Sequence, residues 1–317
     1  MTEEKKVEEI MTKVEEEVQK PSEEEVQKEE VVEEEEEETL EPLVEEGEEE
    51  EEKVKEPIPK ELVQRRRFLK RQKDKDLFET VEEVFDMSTQ MAVYELMRRG
   101  VIGELLGTIS AGKEARVFCA KDPEGNDIAV KIYLTSTAEF RKSIRKYIIG
   151  DPRFEQIANR GLRRLIYAWA RKEFRNLKRM MQAGIRVPKP IAVYKNVLVM
   201  EFIGEGCRRA PLLVELAKPK NQLDVEEWTK IFNTVYDYMV KMYQKAKLVH
   251  ADLNEYNIMY WKEEPVIIDV SQAVPISHPY ADEFLRHDIQ QIRRFFSSVG
   301  VEVPSFAEMY AKITGLE

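Results

Sequence analysis

The 317-residue chain predicts a two-lobed α+β fold, with a β-rich first lobe and a mainly helical second lobe. Three observations lead there. The composition changes abruptly near residue 57. Strand-like segments with one helix among them fill the chain from about residue 107 to residue 203. Helical periodicity then dominates to the end.

Residues 1–56 contain 27 Glu and seven Lys with no Asp or Arg, a charge of −20, so residues 57–317 carry +8 within a whole-chain charge of −12. Glutamate runs at 33–38 and 48–52 repel one another, and no aromatic side chain is present to offset them. A disordered acidic tail over 1–57 is expected. Its simplest reading is a solubilising extension; the alternative is a segment that competes with nucleic acid for the basic body or docks on a basic partner. The remaining residues suffice for two lobes. Cys119 and Cys207 are too few for a disulfide framework and, with three scattered histidines, lack metal-ligand spacing. No secretory signal and no uncharged apolar stretch of bilayer length is visible. A soluble, cytoplasmic protein of a reducing compartment, without membrane attachment and monomeric, is expected.

Residues 58–106 read as a basic linker followed by accessory helices. The run 61–75, ELVQRRRFLKRQKDK, is either a solvated helix or linker, or a nucleic-acid contact. Thr80 with Glu83 resembles a capping box, and Gly100 follows an amphipathic run, predicting one or two helices over 80–99. The first lobe spans 107–203. Its segments 117–120 and 128–133 flank turn formers at 122–126 and read as a hairpin. A helix over 162–182 ends before Gly184, and strands 191–194 and 197–202 surround Lys195 and Asn196. The second lobe spans 204–317. Asp224 and Glu227 open a long helix whose apolar row is Trp228, Phe232, Val235, Met239 and Met242. Strands 258–261 and 266–270 are separated by a turn at Pro265, and helices complete the chain.

The most specific chemical signal is HADLNEYN at 250–257, followed by IID at 267–269. Phosphoryl transfer needs a carboxylate to orient the attacking hydroxyl or water, and oxygen ligands that hold Mg²⁺ against the phosphates. Asp252, with Asn257 five positions later, supplies the first carboxylate and one ligand; Asp269, leaving a buried strand, supplies another. This H-x-D-x-x-x-x-N spacing with a later strand-borne Asp resembles the catalytic loop and metal site of protein kinases. The bland reading, an Asx-rich turn beside an unrelated hairpin, does not account for both elements in this order.

Upstream, AVKI at 129–132 resembles the kinase strand whose lysine meets the nucleotide phosphates, here Lys131. In the 162–182 helix, Leu162, Ile166, Trp169, Glu173, Leu177 and Met180 share one face. A glutamate on an apolar stripe is costly unless paired, and Lys131 is its expected partner. The loop 109–117, ISAGKEARV, has one glycine where kinases usually have three. Gly107 to Lys113 mimics a P-loop run, but Glu114 stands where Ser or Thr would hold the metal, and a strand follows. Backbone N–H groups there, with Ser110, suit phosphate oxygens. VMEFIG at 199–204 resembles the strand and hinge bordering adenine: Met200 forms the pocket wall, and backbone groups of Glu201 and Ile203 meet the base. Only 48 residues follow Asp269, with no A-P-E sequence, leaving no room for an ordinary peptide-substrate groove.

These residues together resemble the RIO-type atypical serine/threonine kinases, subfamily one, over about residues 78–297. The carrying motifs are SAGKEARVF at 110–118, KEFRNL at 172–177, APLL at 210–213, LVHADLNEYN at 248–257, and IIDVSQAV at 267–274 with His278 and Pro279. The resemblance implies a minimal protein-kinase-like fold with N-terminal accessory helices, and ATP with Mg²⁺ or Mn²⁺. It makes Asp252 the catalytic acid/base and Asn257 and Asp269 the metal ligands, with Asp269 a candidate aspartyl-phosphate in an ATPase cycle. It further implies autophosphorylation on serine and a role in small-ribosomal-subunit maturation, with precursor rRNA and ribosomal proteins as partners. Ala111, Arg116 and Asn254 depart from the subfamily's Thr, Asn and Ser without removing a ligand. The segment 134–161 resembles the family's mobile loop; Ser143 there is either an autophosphorylation site or an unmodified surface residue. Two other functions stay open: a small-molecule kinase, which the 110–118 motif disfavours, and a nucleotide-sensing rRNA scaffold, which the intact Lys131, Asp252, Asn257 and Asp269 disfavour.

Overall fold

The computed structural model describes residues 86–134, 144, 147–148, 154, 161–218 and 223–316, all within one compact unit, Pro57–Glu317. The acidic tail, the basic run 61–75, the pair Thr80 and Glu83, and Ser143 lie outside the described residues. Helix α1, Met87–Arg98, starts where the Asp86 carboxylate accepts the Thr89 N–H, a side-chain cap that satisfies one orphan donor. Ala92, Val93 and Leu96 form its buried stripe.

Strands β1 (Glu104–Ala111), β2 (Ala115–Lys121), β3 (Asp127–Tyr133), β4 (Pro190–Tyr194) and β5 (Val197–Glu201) form one antiparallel sheet in the order β1-β2-β3-β5-β4. Side chains alternate between its faces. Phe118, Ala120, Ile128, Val130 and Ile132 pack with the α1 stripe. Val117, Cys119 and Ala129 face the other way and pack with Met200 and Phe202. Because β2 and β3 pair Val117 with Lys131 and Cys119 with Ala129, Lys131 belongs to this second face. Helix α2 (Leu162–Gln182) buries Leu165, Ile166, Trp169, Leu177 and Met180 and ends at Ala183, after which Gly184 takes φ +77°, a conformation glycine adopts without a Cβ penalty.

The second lobe opens with a small hairpin, β6 (Gly204–Glu205) and β7 (Arg208–Arg209), and a short helix α3 (Leu213–Leu216). Helix α4 (Val225–Gln244) starts at Asp224, as expected, through a capping box with Glu227, and buries the whole predicted apolar row. Two further strand pairs come next: β8 (Leu248–Val249) with β11 (Val274–Pro275), and β9 (Ile258–Trp261) with β10 (Glu264–Ile267). Helices α5 (Ala281–Ser298) and α6 (Phe306–Thr314) close the chain. Trp228 and Phe232 of α4 meet Phe296 of α5 edge-on at 6.2 and 5.3 Å, the offset geometry aromatic pairs favour. Among the described residues no helix is long and apolar enough to cross a membrane.

Three expectations are corrected. Strand β1 was legible only as the loop that ends it. The turn after β9 lies at Lys262 and Glu263, with φ +51° and +62°, while Pro265 sits inside β10 opposite Tyr260. A type I′ hairpin turn needs two residues at positive φ, which proline cannot supply; β10 also stops at Ile267 instead of Val270. The two cysteines are not separate thiols: Cys119 and Cys207 form a disulfide across 88 residues of sequence. Two cysteines so far apart carry no pairing signal; the β2 register and the β6–β7 turn bring them together.

Candidate active site

Lys131 projects from β3 toward α2. Its Nζ lies 2.8 Å from Glu173 Oε1 and 2.9 Å from Asp269 Oδ1, and the Tyr133 hydroxyl donates to the other Glu173 oxygen. Lys131 and Glu173 are both buried. Burial by itself would lower the lysine's pKa, but the carboxylates of Asp269 and Glu173 more than offset it and hold the group well above its ordinary value. Lys131 therefore stays charged, and the predicted pairing with Glu173 is present.

The catalytic-type loop comes after β8. Ala251 takes φ +69°, a conformation unfavourable for a residue with a Cβ. The buried Asp288 of α5 receives the N–H of Ala251 at 2.9 Å and of Leu253 at 2.8 Å, clamping the loop on both sides of Asp252. Burial pushes the Asp288 carboxyl up to about 8. The Asn257 amide donates to the Asp252 backbone carbonyl at 2.8 Å and to Oδ2 at 3.1 Å, which turns its own oxygen away as the remaining acceptor. Burial raises the Asp252 pKa, partly opposed by His250 and by the Asn257 bond.

Asp269 comes to the same place from β10. The β9–β10 hairpin places Ile268 N–H on the Asn257 carbonyl at 3.0 Å, and His250 Nε2 lies 3.2 Å from the Ile268 carbonyl, so the two loops are laced directly. Asp269 has φ +54°, a left-handed turn that Asp tolerates better than most residues. Its side chain is 47% exposed, with Ser271 Oγ donating to Oδ1 at 3.1 Å. The positive charge of Lys131 lowers its pKa against the effect of burial.

The rim comes from the first lobe. Ser110 pairs with Val117 across β1 and β2, and Val117 pairs with Lys131. Ser110 and Lys131 thus lie in one cross-strand row, about 10 Å apart at two strand spacings. Gly112 N–H reaches the Ala115 carbonyl at 3.0 Å, making the loop a tight turn. Met200 packs with Val117, Ala129 and Phe202. The Glu201 carboxylate is held bidentately by Arg186 at 2.7 and 2.6 Å, its N–H is bonded to the Lys189 carbonyl, and the Ile203 carbonyl receives the Ala210 N–H.

Several positioning residues escaped sequence reasoning. Asn176 donates to the carbonyls of Val270 and Ala273, both at 3.0 Å, and Lys172 to that of Ser271 at 2.9 Å. Thus α2 grips the segment after Asp269 as well as Lys131. Only the polar positions inside an otherwise buried helix hinted at this. Asp288 had a similar signal, an acid within the apolar stripe of α5.

A β-sheet lobe over a helical lobe, with Lys131, Asp269 and the loop of Asp252 and Asn257 gathered between them, defines a protein-kinase-type phosphotransfer cleft. The family model described as a RIO domain matches residues 116–309, and the chain belongs to that family, an enzyme of the serine/threonine-protein kinase class. It is 43% identical over 251 residues to the RIO-type serine/threonine-protein kinase Rio1 of Haloferax volcanii, covering 79% of this chain and 82% of that protein. It is 39% identical to Rio1 of Methanocaldococcus jannaschii, covering 78% and 81%. The human serine/threonine-protein kinase RIO1 is 41% identical over 77% of this chain, which spans 44% of the human protein's length. A solved Rio2 kinase–ADP/Mg²⁺–phosphoaspartate complex from Chaetomium thermophilum shares the fold with a TM-score of 0.51, 22% identity, and coverage of 70% of this chain and 65% of that one.

Proposed function

We propose that the protein binds ATP with Mg²⁺ in this cleft and transfers or hydrolyses its γ-phosphoryl group during small-ribosomal-subunit maturation. The observation that carries the chemistry is the meeting of Lys131, Asp269 and the Asn257 loop from three separate segments. Lys131 supplies fixed positive charge for phosphate oxygens. Ser110 and the tight loop beside it border the phosphates; Met200 walls the base, with the Glu201 carbonyl and the Ile203 N–H as its backbone partners. Hard oxygen donors suit Mg²⁺, and the Asp269 carboxylate and the Asn257 side-chain oxygen are the pair that would hold it. When bound, the ion would neutralise charge between the phosphates.

Asp252 orients the attacking group and takes its proton, either from a serine or threonine hydroxyl or from water; its burial-raised pKa favours proton acceptance. Asp269 is also the candidate nucleophile of a two-step ATPase cycle. Its carboxylate oxygen bonds to the γ-phosphorus as the bond to ADP breaks, and water then releases phosphate and restores the carboxylate. The Rio2 relative, whose structure carries a phosphoaspartate with ADP and Mg²⁺, supports that reading. Ribosomal partners rest on family membership and the +8 body.

The test is radiolabelled ATP turnover by the full chain, with and without purified small-subunit precursors. Precursors should alter turnover, and Asp252→Ala should reduce it about 10²–10⁴-fold with nucleotide affinity largely kept. Unchanged hydrolysis in that variant removes Asp252 from its role, and indifference to precursors removes the ribosomal assignment.

A further inference from the structure

Helix α2 does more than carry Glu173. Within Leu162–Gln182 there are seven Lys and Arg residues and a single acid, a net charge of +6. The inward charges have defined partners: Lys172 on the Ser271 carbonyl, Glu173 on Lys131 and Tyr133, and Arg179 on the Ala246 carbonyl. At the helix start Arg163 is paired with Asp86 at 3.8 Å; further along, Arg171, Arg175 and Lys178 stand together. Spaced i, i+4 and i+7, they form one stripe on the side turned away from the buried row.

Among the described residues no acidic side chain pairs with any of these three. The contrast with the other helices is informative. Glu95 holds Arg98 and Arg99 on α1, Glu226 and Asp237 hold Lys230 and Lys241 on α4, and Asp282 holds Arg286 on α5. A merely solvated face would carry such neutralising acids too. On α2 the charges instead oppose one another: burial and the neighbouring Arg175 together lower the pKa of Arg171. Like charges at i, i+4 destabilise a helix, so this arrangement has a cost that an anionic ligand would remove.

We propose that the stripe Arg171, Arg175 and Lys178 on the outer face of α2 binds the phosphodiester backbone of RNA. This deepens the ribosomal reading above and rests on it. The stripe rises about 10 Å along the helix, matching about three successive phosphates of one strand. Two of its three members are arginines, whose planar fork meets phosphate oxygens bidentately. The aromatic side chain nearest the stripe, Phe174, with its ring 5.1 Å from Lys178 Nζ, is only 8% exposed, so this surface presents charge and not an aromatic anchor. The surface also communicates with the cleft. Glu173 lies between Arg171 and Arg175 in sequence on the opposite side of the same turn, so a strand laid on the stripe bears on the helix that fixes Lys131. RNA that holds α2 against the sheet would thereby raise the affinity of the cleft for nucleotide, and nucleotide would raise the affinity for RNA by the same factor.

The experiment compares the full chain with the triple variant Arg171→Gln/Arg175→Gln/Lys178→Gln, using a structured RNA hairpin over a range of salt. A second variant, Arg171→Lys/Arg175→Lys, keeps the charge, and Lys230→Gln with Arg286→Gln serves as an exposed-charge control. The triple variant should bind roughly 10–100-fold more weakly at low salt, with a salt slope smaller by about two to three; the lysine variant should retain most binding, and the control should resemble the parent. ATP turnover without RNA should be unchanged, which also shows that the variant is folded. Equal RNA affinity and slope in the parent and triple variant overturns the proposal. So does a loss confined to a polyglutamate peptide, which would mark an acidic protein partner. If precursors stimulate turnover equally in both chains, the stripe fails while the ribosomal reading stands; if the parent neither binds RNA nor responds to precursors, both fail.

Discussion

Lys131 and Asp269, 138 residues apart in sequence, meet at 2.9 Å across the cleft. One comes from the centre of a sheet, the other from a left-handed turn leaving a two-stranded hairpin, and Glu173 holds the lysine from the far side at 2.8 Å. In the proposed ATP site this cation, set between a buried and a half-exposed carboxylate, would exchange the exposed partner for phosphate oxygens while keeping the buried one.

Removing Glu173 tests that division of labour. In Glu173→Leu, Lys131 and the Tyr133 hydroxyl lose their buried partner, and stability should fall by about 3–5 kcal/mol. The double variant Lys131→Met/Glu173→Leu should recover much of that loss while remaining unable to bind ATP normally. Urea unfolding of the four chains of this cycle gives the coupling directly; additive effects would mean that the pair contributes nothing as a pair.

Asp269→Asn should weaken Mg²⁺-dependent ATP binding and abolish any hydroxylamine-sensitive phosphate on the protein. Nucleotide titration with and without Mg²⁺, together with labelling from radioactive ATP, measures both. Survival of the adduct in the variant would rule out Asp269 as its carrier.

The pH profile of stability should carry the mark of Asp288. Its folded-state pKa, about 8, lies above the ordinary carboxylate value near 4. Between these values the folded chain keeps a proton that the unfolded chain has lost, so this group's contribution is present in full below about 4 and declines as pH rises toward 8. Asp288→Asn should flatten that decline. It should also cost about 1–3 kcal/mol, because the two N–H groups bond separate oxygens and the amide would set its NH2 group against one of them. Denaturation midpoints at pH 5, 6.5 and 8 decide it: parallel profiles in the parent and variant would refute the assignment.

The disulfide should contribute about 2–4 kcal/mol by restricting the unfolded chain. Reduction, or Cys119→Ser with Cys207→Ser, should lower the melting temperature to the same extent. Because Cys119 is only 2% exposed, reduction of the folded protein should be slow. Two rapidly titrating thiols in the native, unreduced chain would dispose of the bond.

Much of this could be read in the sequence where physics is local or the apolar pattern is strong. The helix start at Asp224, the buried row of α4 and the hairpin of β2 and β3 follow from side-chain chemistry within a few residues. Glu173 was legible because a lone acid on an apolar stripe demands a cation, and the AVKI strand at 129–132 singled out Lys131. What escaped depends on register and on distant packing. The bond between Cys119 and Cys207 requires knowing which way the β6–β7 turn folds. Likewise, the hold of Asp288 on Ala251 and Leu253 joins backbone groups, which leave no trace in residue identity. The turn at Lys262 and Glu263 was missed because neither residue is a usual carrier of positive φ, whereas Pro265 attracted attention it did not merit.

The sulfur bridge also determines where the molecule can bend. It joins β2 to the turn beyond the connector 201–203, and Gly206 N–H reinforces it by bonding Asp127 Oδ2 at 2.8 Å. The connector and everything up to residue 207 are therefore riveted to the sheet and travel with it. β7 pairs with β6 and the Ala210 N–H bonds the Ile203 carbonyl, so Arg208 and Arg209 move with the rivet too; rocking of one half against the other has to pivot beyond Ala210, and the edge proposed for the nucleobase keeps its shape whether the jaws stand wide or shut.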